Sequence, residues 1–217
     1  MRTARFRAGF NFLASILLVT NCVADEVQVI HLARPDVLGT PPEGCRPDLT
    51  GQGGPVAWRV LLLHNRPALA EMSRVKVDHR FPLCVVDKVV ASDVELGVSF
   101  TPIAGKIDQA AGLIFRVKDA DNYYVARANA LENNVNLYHV VNGVRRQIAG
   151  AEVPVLNGKT QQLGVRIEGE AIEVSLDGRK LIAVNDRTIE GPGAVGLWTK
   201  ADSVTAFYEL TISVLRK

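Results

Sequence analysis

The sequence predicts an all-β sandwich of two antiparallel sheets with few or no helices. Three observations carry that expectation. Short apolar runs with period-two alternation follow one another from residue 57 onward. Turn residues separate them at intervals of roughly 8–12 residues, the spacing of a sandwich or barrel. No segment sustains an apolar stripe at the helical period, although 66–74 and 104–110 have room for a helical turn or two. Composition sets the outer bounds. With 217 residues, 47% of them hydrophobic, and 25 Lys and Arg against 23 Asp and Glu, the chain suits one large domain or two small ones. That balance excludes a disordered chain and a strongly basic nucleic-acid binder.

Arg2, Arg5 and Arg7 precede an apolar run from Phe10 to Val19, and no acid occurs before Asp25. A charged start followed by a short apolar stretch is the pattern of a secretory signal peptide, here residues 1–24 with cleavage after Ala24. The run is too short for a bilayer span of roughly 20 residues, so no transmembrane segment is expected after cleavage. The chain is therefore expected to be exported, either periplasmic or secreted. Acylation of Cys22 is a rival reading, weakened by the bulk of Asn21 before it, and an uncleaved anchor is a third. Cleavage removes three arginines and no acid, taking the formal net charge from +2 to −1. Cys45 and Cys84 then remain, and an oxidising compartment allows a disulfide between them. Two unpaired thiols are the alternative, since spacing alone does not bring their Cα atoms within bridging distance.

Residues 25–55 hold Pro35, Pro41, Pro42, Pro47 and Pro55, half of the ten prolines, among five glycines. They read as an irregular lead-in with at most one edge strand, Val27–Ile30. The sandwich domain is expected over 56–217. Its strands are expected at 57–63, 82–87, 92–100, 111–118, 122–130, 134–141, 144–149, 161–168, 171–176, 179–184, 193–200 and 203–214. Asn142-Gly143 and Asp177-Gly178 sit between alternating runs and tolerate the positive φ of type I′ hairpin turns. Gly169-Glu170 suits a type II′ turn.

Several motifs fail in informative ways. Asn157-Gly158-Lys159-Thr160 mimics the end of a phosphate-binding loop, but Val153 stands where its first glycine belongs and a strand follows. The four histidines, His31, His64, His79 and His139, lack metal-ligand spacing. The strand-borne E-x-D-x-E of family-16 glycoside hydrolases is missing, Asp93-Val94-Glu95 being the nearest approach.

The segment from Asp108 to Gln147 is the most individual part of the chain. Ala111–Arg116 (AGLIFR), the D-x-D-N-Y-Y turn at 119–124, the Arg127–Asn129 strand and Asn136–Gly143 (NLYHVVNG) resemble the concanavalin A-like, or laminin G-like, jelly-roll domains. Within these, the likeness is to the 3-keto-disaccharide hydrolase group, which is glycoside-hydrolase-family-16-like. Trp58-Arg59-Val60, Arg80-Phe81-Pro82-Leu83 and Gly193–Trp198 extend the resemblance over roughly residues 45–215. It implies a jelly-roll β-sandwich, a fold that hosts lectins and hydrolases alike.

Alternation divides the same segment into two layers. Leu113, Phe115, Tyr124, Ala126, Ala128, Val135 and Leu137 are expected in the core, with Ala111 and Val117 on the same side. The opposite face is expected to gather Arg116, Tyr123, Arg127, Asn129, Asn136 and Tyr138, joined by Trp198 and Lys200. Aromatic rings among guanidinium and amide groups suit a sugar, whose C–H face stacks on rings while its hydroxyls take hydrogen bonds. A solvated sheet surface held by cross-strand pairs is the plain alternative. Glu132 and Asp119 are the acids expected near this face. The Asp119–Asn122 turn has oxygen ligands suited to calcium, although an Asx-rich turn that binds nothing explains the same residues and no cofactor is required. The leading expectation is thus an exported module that binds a glycan or glycoside on a concave sheet. A glycoside hydrolase using Glu132 or Asp119, and a structural or adhesion module of the cell envelope, are the alternatives.

Overall fold

A computed structural model describes residues 27–31, 33, 37–40 and 42–215; the expected signal peptide lies outside the described residues. The strands, in chain order, are β1 (Val27–His31), β2 (Arg46–Gly51), β3 (Trp58–Leu63), β4 (Arg66–Glu71) and β5 (Arg80–Ala91). There follow β6 (Val94–Ala104), β7 (Ala110–Asp119), β8 (Asn122–Asn129), β9 (Asn134–Val141) and β10 (Val144–Glu152). The chain closes with β11 (Gln161–Glu168), β12 (Ala171–Leu176), β13 (Arg179–Asn185), β14 (Gly193–Trp198) and β15 (Val204–Val214). Among the described residues there is no α-helix.

The strands form two antiparallel sheets. An eight-stranded sheet runs β13-β12-β11-β6-β15-β4-β3, with β1 alongside β15. A seven-stranded sheet runs β10-β9-β8-β7-β14-β5-β2. The apolar parity of each strand decides which face turns inward. Leu113, Phe115, Tyr124, Ala126, Ala128, Val135 and Leu137 are all buried in the inter-sheet core, as the alternation predicts. They share it with Leu96, Val98 and Phe100 of β6 and with Phe207, Leu210 and Ile212 of β15. Phe115 and Tyr124 stack there with ring centroids 5.3 Å apart. Burying each large apolar side chain contributes roughly 1.5–3 kcal/mol, and a one-residue slip would forfeit a whole strand's share.

The hairpins follow their turn chemistry. Asn142 and Gly143 have φ of 50° and 74°, and Asp177 and Gly178 have 51° and 77°, the paired positive values of type I′. Gly169 has φ 60° at the first turn position between β11 and β12. Two regions differ from expectation. His64 and Asn65, with φ of 47° and 62°, make a two-residue turn that returns the chain as β4, so 66–74 begins with a strand and not a helical turn. In addition, β2 forms inside the Pro-rich lead-in. Among the described residues it pairs only with β5, and at the edge of a sheet Pro47 sacrifices little.

Two ties lock this end of the molecule. Cys45 and Cys84 form a disulfide with their Cα atoms 5.3 Å apart. Glu71, closing β4, meets Arg80, opening β5, at 3.3 Å with both side chains fully buried. Because β4 and β5 belong to different sheets, that ion pair bridges the sandwich.

Candidate functional site

The outward face of the seven-stranded sheet is not a solvated surface. Phe81 and Leu83 of β5, Ile114 of β7, Tyr123 and Val125 of β8, Tyr138 and Val140 of β9 and Trp198 of β14 form a second buried cluster there. Cross-strand register puts the polar residues beside them. Arg127 lies opposite Asn136, and Val125 opposite Tyr138. The tight turn at Asn142-Gly143 then forces Val140 opposite Arg145, and Gln147 opposite Tyr138. Arg145 is thereby laid across the rings of Tyr138, Phe81 and Trp198, its guanidinium carbon 4.5, 4.8 and 5.7 Å from their centroids.

A cluster of polar side chains lies next to these rings. Arg127, 1% exposed, donates from Nη2 to Glu132 Oε2 and to Asn134 Oδ1, both at 2.7 Å. In the orientation that satisfies its neighbours, the Asn136 amide oxygen accepts from Arg127 Nη2 at 3.1 Å and from the Tyr138 hydroxyl at 3.0 Å. A side chain on Gly150 would press its Cβ to within 2.1 Å of the Asn136 side chain, so the glycine leaves this amide its room. Lys200 pairs with Asp78 and sits 3.0 Å from Asp108 Oδ2. Asp108 Oδ1 accepts from Asn129 Nδ2 at 2.8 Å, and Asn129 Oδ1 in turn accepts from the backbone N–H groups of Leu131 and Glu132.

Burial and charge pull these groups apart. Burial pushes the Asp108 carboxyl up from its ordinary value, against the opposing charges of Lys200 and Arg127. Burial also works on Glu132, but the Arg127 hydrogen bond and charge outweigh it and hold that carboxyl down. The Lys200 hydrogen bond lowers Asp78. Hydrogen-bonding capacity is left over inside the cluster. Arg127 Nε, Arg145 Nη1 and Asp108 Oδ2 are shut from solvent without a well-directed hydrogen bond, the last despite its nearness to Lys200. Such atoms are costly to bury unless something meets them.

Of the residues expected on this face, Arg127, Asn136, Tyr138 and Lys200 belong to this polar cluster, and Asn129 bonds to Asp108 within it. Tyr123 and Trp198 share the face but are fully buried, a correction to the expectation that their rings lie open. The Tyr123 hydroxyl is held by Thr50 Oγ1 at 2.8 Å and by Trp198 Nε1 at 3.2 Å, and Arg145 covers the indole. Arg116 is the second correction. A bulge between Phe115 and Asp119 breaks the alternation, Arg116 takes φ 48°, and Val117 crosses from the expected core side to the outer cluster. The Arg116 guanidinium reaches the carbonyls of Ser92, Ile189 and Gly169 instead, where it ties loops together. Gly193 makes the bulge possible, since a Cβ there would lie 2.4 Å from the Arg116 carbonyl carbon.

Asp119 and Glu132 are at opposite ends of β8, about 23 Å apart at roughly 3.3 Å per residue, too far to act on one bond. Asp119 Oδ1 is engaged by Asp121 N–H at 2.8 Å and Asn122 Nδ2 at 2.9 Å, as in an Asx-type turn. Among the described residues no three His, Cys, Asp or Glu side chains cluster as metal ligands. Sequence reasoning missed Asp78, Asp108 and Arg145. Arg145 had a signal, because a two-residue turn at 142–143 sets 140 opposite 145. The two aspartates lie in connections, where no periodicity points to them.

No protein-family model matches the chain. It is 31% identical over 104 residues, 47% of its length, to levanase from Bacillus subtilis (strain 168), and the match spans 15% of that protein. Among solved structures it resembles the carbohydrate-binding module CBM66 from Bacillus subtilis, with a TM-score of 0.61 and 23% identity over 82% of this chain and 97% of that one. It also resembles Bacillus licheniformis β-glucanase, with a TM-score of 0.56 and 10% identity over 89% and 100% of the two chains. A third likeness is domain 4 of an extracellular GH43 arabinanase from Geobacillus stearothermophilus, solved with arabinotriose, at a TM-score of 0.50 and 12% identity over 77% and 82%. The fold is therefore that of the concanavalin A-like jelly-roll β-sandwiches.

Proposed function

We propose that this chain is an exported carbohydrate-binding module whose ligand binds at the polar cluster of Arg127, Asn136, Tyr138, Lys200 and Arg145. One observation carries the reading: charged groups are buried on a single outward sheet face with hydrogen-bonding capacity unspent. A saccharide fits that chemistry because each hydroxyl both donates and accepts. Arg127 and Lys200 donate, Glu132 and Asp108 accept, and Tyr138 does either. Two structures of the same fold, one a carbohydrate-binding module and one solved with arabinotriose, support the reading. Export rests on residues 1–24 as a signal peptide and on the disulfide, a bond of oxidising compartments. On this reading 25–55 is an irregular lead-in that lends β1 and β2 to the domain spanning 56–217.

Calorimetric titration against a panel of oligosaccharides tests the proposal. Arg127→Ala is expected to weaken binding by roughly 1.5–3 kcal/mol, the range for hydrogen bonds to a charged group. Lys159→Ala, in the turn at 157–160, is expected to change nothing. Full binding by a folded Arg127→Ala would remove this face from consideration.

A second reading, glycoside hydrolysis of the 3-keto-disaccharide type, is favoured by one observation. Asp108 is pushed up while Glu132 is held down, the split expected of an acid and a base. Release of new reducing ends from the same panel, abolished in Glu132→Gln, would select it over binding alone.

A further inference from the structure

Three loops meet at one end of the sandwich, and each carries an exposed aliphatic side chain. Ile107 belongs to the connection from β6 to β7, Leu131 to the turn from β8 to β9 and Leu156 to the connection from β10 to β11. They are 41%, 46% and 50% exposed. Gln109, itself buried, pins these loops to one another. Its backbone carbonyl accepts from Ala130 N–H at 3.1 Å, its side-chain amide donates to the Gly105 carbonyl at 3.1 Å, and its Oε1 accepts from Asn157 Nδ2. Asn133 adds a second clasp by accepting from the backbone N–H groups of Val153 and Val155. Ile107 is two residues from Gln109, and Leu131 and Leu156 are each next to one of its partners. Exposed aliphatics scattered singly are ordinary, but three on loops clasped together make an apolar tip.

The surroundings of the tip say what it meets. Leu131 precedes Glu132, whose half-exposed carboxylate holds Arg127, and Ile107 precedes Asp108, which faces Lys200. The tip therefore adjoins the polar cluster. It is also remote from the points where the chain enters and leaves the sandwich. Val27 pairs with Ser213, and Val214 with Val94 at the start of β6, whereas Ile107 lies beyond Ala104 at the other end of that strand. The length of β6 separates the two places by about 33 Å, at roughly 3.3 Å per residue. The C–H face of a sugar favours aromatic rings, but Tyr123 and Trp198 are fully buried, closed in by Thr50 and Arg145. The apolar surface left open beside the cluster is aliphatic, and a hydrocarbon chain matches it. Building on the carbohydrate-binding reading, we infer that the ligand is an amphiphilic glycoside. Its sugar hydroxyls meet the polar cluster, and its alkyl or acyl aglycone lies on Ile107, Leu131 and Leu156. Each methylene that leaves water for this surface adds to affinity until the tip is covered. Because Gln109 and Asn133 already fix the loops, little freedom is lost when the ligand arrives.

The test is calorimetric titration of the full chain with methyl, butyl, hexyl and octyl glycosides of glucose, galactose, mannose and fructose, all below micelle-forming concentrations. For at least one sugar, affinity is expected to rise roughly two- to fourfold per added methylene. Leu131→Asn and Leu156→Asn change exposed side chains and are expected to flatten that rise. Val144→Asn, at a comparably exposed aliphatic beside the turn at 142–143 and the far end of β8, is expected to preserve it. Should the two leucine variants fail to fold, the parent protein still decides, because its binding heat capacity must grow more negative as the aglycone lengthens. Affinity and heat capacity that stay flat with aglycone length, with oligosaccharides still bound, overturn the aglycone inference and leave the carbohydrate reading standing. A rise that survives both folded leucine variants overturns it too. So does equal binding of octanol or of sugar-free phosphatidylcholine vesicles, which would point to a bare apolar partner. An absence of binding by every glycoside and oligosaccharide overturns both.

Discussion

Three arginines show how little the residue type says without its surroundings. Arg80 is fully buried and spends its donors on Glu71, the Gly53 and Ala201 carbonyls and Ser73 Oγ. Glu71 also accepts from the backbone N–H groups of Ala57 and Ser73. Removing one charge of such a pair strands the other in a medium that cannot solvate it. Glu71→Gln is therefore expected to cost about 3–5 kcal/mol in urea unfolding. Arg166, paired with Glu95 at 2.9 Å on the exposed surface, serves as the contrast, and Arg166→Ala is expected to cost less than about 1 kcal/mol. Similar losses for the two variants would contradict the bridging role given to Arg80. Arg116 is the third case: its alternation pointed to the sheet face, and a bulge turned it toward three loop carbonyls.

At the scale of elements, the connection between β6 and β7 is held by an anion. Asp202, in the turn before β15, accepts from the backbone N–H groups of Lys106 and Ile107 at 2.9 Å and of Asp108 at 3.2 Å. Burial favours the neutral acid, but these backbone hydrogen bonds win and hold the Asp202 pKa below its ordinary value. A carboxyl lowered in the folded state stabilises the protein fully above its unfolded pKa of about 3.9. That stabilisation is lost as pH falls through the lower folded value. Urea midpoints of the parent are therefore expected to fall as the solution is acidified below about pH 4, and more gently in Asp202→Asn. Parallel slopes for the two proteins would refute the assignment. Because Asp108 joins the polar cluster from this connection, the variant is also expected to weaken saccharide binding.

For the whole molecule the disulfide is the longest covalent constraint, joining cysteines 39 residues apart. It ties β2, at the edge of the seven-stranded sheet, to β5 beside it. Replacing both cysteines by alanine is expected to cost about 2–4 kcal/mol, chiefly by freeing the unfolded chain. The exported protein is expected to begin at Asp25 and to show no free thiol when unfolded without reductant. Two free thiols, or a mass that retains Met1, would break this link between compartment and fold.

Local chemistry sufficed for the sandwich. Period-two alternation separates a strand's inward from its outward face, and the Asn-Gly and Asp-Gly pairs accept the positive φ that a two-residue hairpin demands, so the layers, these turns and most strands were readable from residues 56–217, while the pairing order of the strands was not. The same turn geometry placed Arg145 opposite Val140, a fact present in the sequence though easily passed over. What alternation cannot register is a departure from itself. The bulge after Phe115 and the close approach of Gly193 arise where β7 meets β14, strands separated by more than 70 residues of chain. Nor can it show what covers a face. The rings of Tyr123 and Trp198 became floor because Arg145, Thr50 and Phe81 arrive over or beside them from other strands. Asp78 and Asp108 reach Lys200 from connections that carry no period at all. The sequence by itself determined which side of each strand is apolar, because that depends on neighbours two residues away. Only the tertiary structure decided which charged groups meet inside, because that depends on residues the chain brings together from far along its length.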